Sequence, residues 1–232
     1  MGRGQRAQQI QVMTAPAKSI RIDIVSDVVC PWCVIGFKQL QLALGQLGDE
    51  VDAEVHWHPF ELNPQMPSNG QDLSEHLAEK YGTTEAQSHT ARVRLKQTAE
   101  SLGFEFRYYD GMRMRNTFRA HQLLHWAGEQ GAQTELELSL FESFFSREEN
   151  VDDLDVLVAA AGRAHLDETV ARAVLTDGRY ADTVREEQRF WLTKGIHAVP
   201  SFILDRRYLI PGAQDPEVFV EALRRLAGED AA

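Results

Sequence analysis

The sequence predicts an α/β fold in which a small mixed sheet, assembled from a βαβ half and an αββα half, is split by a large all-helical insertion. Two observations carry this. Apolar residues alternate with polar ones in short runs near both ends of the chain, whereas from Asn63 to about Gly195 they recur at three- and four-residue steps. The only two cysteines, Cys30 and Cys33, fall between the first alternating run and the first helical one, in the stretch SDVVCPWCVIG (26–36).

Taken in order, Ile20, Ile22 and Ile24 alternate with Arg21 and Asp23, a strand that runs to just before Cys30. Val34, Phe37, Leu40, Leu44 and Leu47 then mark one face of a helix, with Pro31 in its first turn and Gly48 as its stop. Val51, Ala53, Val55 and Trp57 alternate with Asp52, Glu54, His56 and His58 in a second strand. Strand, helix and strand within about 40 residues make a βαβ unit, whose strands run parallel through a right-handed crossover.

The helical block follows. Asp72 caps a short helix through Lys80, Thr84 opens one that stops at Gly103, and Asn116 opens one that stops at Gly128. Residues 133–146 carry Leu136, Leu140 and Phe144 on one face, Asp153 and Asp167 cap two more helices, and a last one runs from about Arg179 to Lys194. Residues 201–204 and 208–210 flank the polar Asp205-Arg206-Arg207, a hairpin pattern. Asp215 caps and Pro216 begins a final helix bearing Phe219, Leu223 and Leu226. Residues 1–18 are rich in Gln and Ala without a hydrophobic period and read as a disordered extension, with Met1 or Met13 as the start. They lack the roughly 7–15 residue apolar region of a secretory signal, so a cytoplasmic location is expected.

A formal net charge of −11 and no cluster of Lys and Arg argue against a nucleic-acid or anionic-membrane partner. A chain of 232 residues buries a core without covalent staples, so a lone C-x-x-C reads as redox chemistry or metal binding rather than a disulfide framework. Zinc needs further ligands, and the His56-Trp57-His58 step on a strand does not match the spacing of zinc sites. No metal is expected. A helix start offers unpaired N–H groups and the positive end of the helix dipole, which favour an anionic sulfur at Cys30. The thiolate is the reactive species, and Cys33, one turn on, is placed to resolve a mixed disulfide formed at Cys30.

These residues, with HPFELNPQMP (58–67), RNTFRAHQLLHWA (115–127), GIHAVPSFIL (195–204) and PGAQDPE (211–217), resemble the thioredoxin-fold DsbA family, and within it the cytoplasmic FrnE-type branch. The resemblance implies a thioredoxin-like domain over 19–62 and 178–228, interrupted by a helical domain over 63–177. It implies that Cys30 and Cys33 are catalytic, that Pro31 and Trp32 complete their motif, and that the bond before Pro200 is cis and faces Cys30. Val199 and Pro200, with Asn63 and Asn116, would contact substrate. Glycine is frequent in the family where this chain has Ala198. Some FrnE-type proteins carry further cysteines, and this chain has none after Cys33, so any redox cycle passes through one site.

The implied activity is thiol–disulfide oxidoreductase or isomerase chemistry on protein or small-molecule disulfides, unfolded proteins among them. No bound cofactor is expected; glutathione or a small redox protein would reset the pair. The alternative is a glutathione-dependent isomerase or transferase acting on a small aromatic compound, as in hydroxychromene-carboxylate isomerase and kappa glutathione transferase, which place serine where Cys30 stands. A chaperone-like binding module is a third class. Either a monomer or a homodimer is compatible with the sequence.

Other residues have two readings each. Glu61, Asn63 and Pro64 line a groove or form a structural turn, and Asn116 borders the groove or caps a helix. Arg119 meets an anionic substrate or an acidic neighbour, and His121 and His125 share one helix face. His197 lies near Pro200. Met112-Arg113-Met114-Arg115 forms a flexible apolar lip or packs a loop.

Overall fold

The computed structural model describes residues 18–229; the extension expected over 1–18 lies outside them except for Lys18, which already belongs to the first strand. Strands β1 (Lys18–Ser26) and β2 (Val51–Pro59) flank helix α1 (Pro31–Leu47) and pair in parallel, with Ile22 opposite Val55. Two two-residue strands, β3 (Gln71–Asp72) and β4 (Arg113–Met114), pair with each other apart from the main sheet. Near the C-terminus β5 (Ser201–Leu204) runs antiparallel to β1, and β6 (Tyr208–Pro211) antiparallel to β5. The sheet order is β2-β1-β5-β6.

As its central position requires, β1 is buried on both faces. Ile20, Ile22 and Ile24 share one core with Phe37 and Leu40 of α1 and with Phe219 and Leu223 of the last helix, α9 (Pro216–Glu229). On the opposite face Val25 and Ile203 meet Trp191 and Ile196. Trp191 belongs to helix α8 (Ala181–Thr193). Asp23, which alternates with the isoleucines, is also buried, under this helix, held by Arg21 and by His58.

Between β2 and β5 lie the remaining helices: α2 (Leu73–Tyr81), α3 (Glu85–Ser101), α4 (Phe118–Glu129), α5 (Gln133–Phe145), α6 (Leu154–Arg163) and α7 (Glu168–Asp177), followed by α8. Their starts follow capping chemistry. Asp72, Asp153 and Asp167 each accept two backbone N–H bonds, and Thr84 forms a reciprocal capping box with Gln87. Helix α4 starts at Phe118, later than its expected opening at Asn116, and runs through Gly128. Asn116 still serves the start, since its Oδ1 accepts from the Phe118 N–H while its Nδ2 donates to the Met66 carbonyl.

Two contacts bind this block to the sheet edge. The Gln133 carboxamide pairs with the β2 backbone, accepting from Trp57 N–H at 2.9 Å and donating to Trp57 C=O at 3.0 Å. Trp57 Nε1 donates to Thr134 Oγ1 at 2.9 Å. One helical glycine is set by close packing: a Cβ on Gly36 of α1 would lie 3.0 Å from the Phe202 ring and 3.2 Å from Pro200.

Candidate active site

Strand β1 ends at Ser26, and Asp27 to Val29 form a turn closed by Cys30 N–H donating to Asp27 C=O at 2.9 Å. The apolar run continues past the strand because Val28 and Val29 are buried within the turn. Cys30 is the N-cap of α1. No side chain caps this helix, Pro31 occupies its first position and its first turn has no acidic residue, so the positive helix end is left to the Cys30 sulfur.

Cys30 and Cys33 are free thiols, 4% and 1% exposed. The Cys30 Sγ lies 3.8 Å from the Val199 carbonyl oxygen, and the Val199–Pro200 bond is cis. This loop is tied on both sides: Ser201 Oγ donates to Ala198 C=O, and Gly212 N–H to Pro200 C=O. Trp32 is half exposed beside the thiols, at 51%. Burial, and the interaction with Cys30, push the Cys33 thiol well above its ordinary pKa. The outer sulfur is therefore the one suited to attack, and the inner one is a protonated thiol until it is called on.

Under Cys33 lies a buried polar group that the sequence did not point to. Ser26 and Asp27 both bear on the Cys33 sulfur. Ser26 Oγ donates to Glu137 Oε1 at 2.8 Å, and Glu137 is 1% exposed. Burial pushes the Glu137 carboxyl up to about 7, against the opposing pull of His121 and of the Ser26 hydrogen bond. Asp27 is fully buried; its Oδ2 accepts from Leu62 N–H at 2.7 Å, while Oδ1 has no hydrogen-bond partner among the described residues and faces His121 Nε2 at 3.6 Å. The same Nε2 is 2.9 Å from the Phe60 carbonyl. One signal was available: Glu137 interrupts the apolar positions Leu136, Leu140, Phe141 and Phe144 on α5.

In front of the thiols opens a cavity of about 350 Å³ between the Cys30 turn and helices α2 and α3. Asn63, Met112, Met114, Pro31, Trp32 and Val199 all line it. Asn116 does not. Glu61 is paired with Arg185 at 2.9 Å. Pro64 is exposed away from the cavity, and Arg119 donates to the Asp152 carbonyl. His197 is exposed on the loop before Pro200. Arg113 and Arg115 donate to the Asn69 carbonyl, while Met112 and Met114, which alternate with them, line the cavity.

His125 and His58 belong to a different cluster, behind the sheet. His58 lies 2.7 Å from Asp23 and 2.5 Å from Glu187, and His125 lies 3.5 Å from Glu187. Burial opposes ionisation of Asp23, yet hydrogen bonds from His58 and Arg21 lower its pKa to about 2; for Glu187 the same contest, won by His125 and His58, also ends at about 2. His58 is raised above its ordinary value, because the two carboxylates outweigh its burial. Among the described residues no group of three or more His, Cys, Asp and Glu side chains is arranged to hold a metal ion, and no helix is long and apolar enough to cross a membrane.

Residues 21–224 match the model of the DSBA-like thioredoxin domain. An uncharacterized protein of Bacillus subtilis, YwbO, is 29% identical over 206 residues, covering 88% of this chain and 96% of its own. The crystal structure of a probable DsbA oxidoreductase from Streptomyces coelicolor is similar with a TM-score of 0.85 and 36% identity, covering 90% of this chain and 91% of that one. The cytosolic disulfide reductase DsbM from Pseudomonas aeruginosa, with GSH, shares the fold at a TM-score of 0.60 and 15% identity, over 89% of this chain and 98% of its own.

Proposed function

The chain belongs to the DSBA-like thioredoxin domain family, and from that premise we propose that it is a cytoplasmic thiol–disulfide oxidoreductase whose Cys30–Cys33 pair exchanges with disulfides through one site. The single observation that carries this reading is the asymmetry of the pair: one sulfur at the mouth of a cavity and at an uncapped helix start, the other buried behind it and held protonated.

The Cys30 thiolate attacks a substrate disulfide, forming a mixed disulfide and releasing one thiol. Cys33 then attacks the Cys30 sulfur and expels the second. For that step Cys33 must lose its proton in a dry site, and Glu137, reached through Ser26 Oγ, is the group in line to take it. The Val199 carbonyl, 3.8 Å from the Cys30 sulfur, marks the loop along which a bound partner lies. Glutathione is the reductant or oxidant we assign to the reset, as an exchanging partner rather than a bound cofactor.

The experiment has two parts. In Cys33→Ser a mixed disulfide at Cys30 should accumulate and be visible by mass, whereas Cys30→Ser should lose disulfide exchange altogether. Equilibration of the unaltered protein with defined glutathione ratios gives its direction: a potential near about −120 mV marks an oxidant and one near about −270 mV a thioredoxin-like reductant. If no internal disulfide forms at any ratio and Cys30 instead holds glutathione stably, the glutathione-dependent isomerase or transferase takes its place. Retention of Cys33 directly behind Cys30 weighs against that outcome, since such chemistry gives the second sulfur no task.

A further inference from the structure

We infer that the disulfide reduced at Cys30 is a low-molecular-weight one with an apolar body and a carboxylate, bound in the cavity between the Cys30 turn and helices α2 and α3. The inference rests on the dithiol reading above and adds the class of substrate. The cavity, about 350 Å³, lies toward the small end of ligand sites, which run from about 300 to 1,000 Å³. Its wall is mainly aliphatic and aromatic, from Leu62, Leu77, Leu95, Met114 and Phe144.

Its charge runs against that of the molecule. In a protein of net charge −11, the described residues lining this cavity include Lys80 and Arg92 and not one Asp or Glu. Lys80 Nζ donates to the Leu62 carbonyl and to Asn63 Oδ1, both at 2.7 Å, which fixes the ammonium and leaves its third proton to a ligand. Arg92 is partly buried beside the Tyr108 ring, 5.9 Å from its centroid, and has no ion pair among the described residues. A second observation points to an occupant. Ser88, only 5% exposed, lines the cavity with an Oγ that has no hydrogen-bond partner among the described residues. A buried hydroxyl left unpaired is destabilising, and a ligand oxygen hydrogen-bonded to it would relieve that cost.

The reaction balances as follows. As the Cys30–S bond forms, the substrate S–S bond breaks, and the departing thiolate takes up the proton that Cys30 lost. Cys33 then passes its proton through Ser26 to Glu137 and attacks Cys30; as the Cys30–Cys33 disulfide closes, the second departing thiolate takes up a proton from solvent and Glu137 returns one to it. The substrate gains two electrons and the protein loses two. Two molecules of a thiol such as glutathione restore the dithiol and leave as their own disulfide.

The test compares the full chain acting on dithiobis(nitrobenzoate), an aryl disulfide with carboxylates, on uncharged dithiodipyridine and on insulin, each rate divided by that of the same disulfide with free glutathione. The carboxylated aryl disulfide should lead both others by about tenfold or more. Arg92→Gln should lower its kcat/KM relative to that of dithiodipyridine about tenfold, and Arg92→Lys should restore most of the ratio; tenfold is about 1.4 kcal/mol, the scale of one charge-assisted hydrogen bond. Leu95→Trp, which fills the cavity, should slow both small disulfides more than insulin. Preference for insulin, or a charge ratio unmoved by Arg92→Gln, overturns the inference while leaving the dithiol reading intact. If none of the three reacts faster than with free glutathione, both fall.

Discussion

Glu137 joins stability to chemistry at a single side chain. Its carboxyl is pushed up to about 7 by burial, so it is ionised, and able to take the Cys33 proton, only above that pH. The resolving step should therefore accelerate as pH rises through about 7. In Glu137→Gln the inflection should vanish and the step slow by about 10- to 100-fold at pH 8, read as glutathione release from a Cys30 mixed disulfide. Stability should move the other way. A carboxyl raised from 4.5 to about 7 favours the folded state fully only below its unfolded value, and that contribution is lost as pH climbs to 7. Removing the charge should raise stability at pH 8 by up to about 3 kcal/mol, measured as the urea midpoint. A merely structural role for Glu137 would leave the pH profile of resolution unchanged. The cysteine pair was legible because its residue types and spacing carry their own chemistry. Glu137 was not, because its partner Ser26 is 111 residues away, and only its intrusion among apolar neighbours hinted at it.

Among the elements, periodicity and capping chemistry exposed every long one, since Asp72, Thr84, Asp153 and Asp167 mark their helices locally. It missed β3 and β4, because two residues have no period. It gave no sign that Asp23 on β1 is buried, because the His58 and Glu187 partners that make burial tolerable come from β2 and α8. That cluster makes the docking of α8 depend on pH. Asp23 and Glu187, at about 2, stabilise it above their unfolded values of 3.8 and 4.5 and lose that contribution as pH falls toward 2. His58, raised above 6.5, contributes fully below that value and loses it as pH rises through its folded pKa. Protection of α8 amides against hydrogen exchange, taken relative to the intrinsic rate at each pH, should be greatest between about pH 4.5 and 6.5, and His58→Gln should remove the alkaline limb. Helix α1 meets the Pro200 loop at Gly36, where a methyl group would press on Phe202 and Pro200. Gly36→Ala should cost about 1–3 kcal/mol and slow exchange at Cys30, checked by thermal melting beside a disulfide reductase assay.

For the molecule as a whole, both the cavity and the proton acceptor come from the helical block: α2 and α3 wall the space in front of Cys30, and α5 carries Glu137 behind Cys33. The sequence showed that such a block exists; it could not show that the redox pair lies between two of its parts, because those contacts are tertiary. The Gln133 carboxamide on the Trp57 backbone has a further consequence. An edge strand is a template onto which another molecule's strand can add. One amide, shaped like a peptide group but attached to a helix, satisfies the template at Trp57 and offers nothing to the next molecule, so it acts as a chain terminator for sheet growth. Excising residues 63–177 to make a miniature would restore the living end, and such a miniature should polymerise, seen as light scattering that rises with concentration where the full chain stays clear.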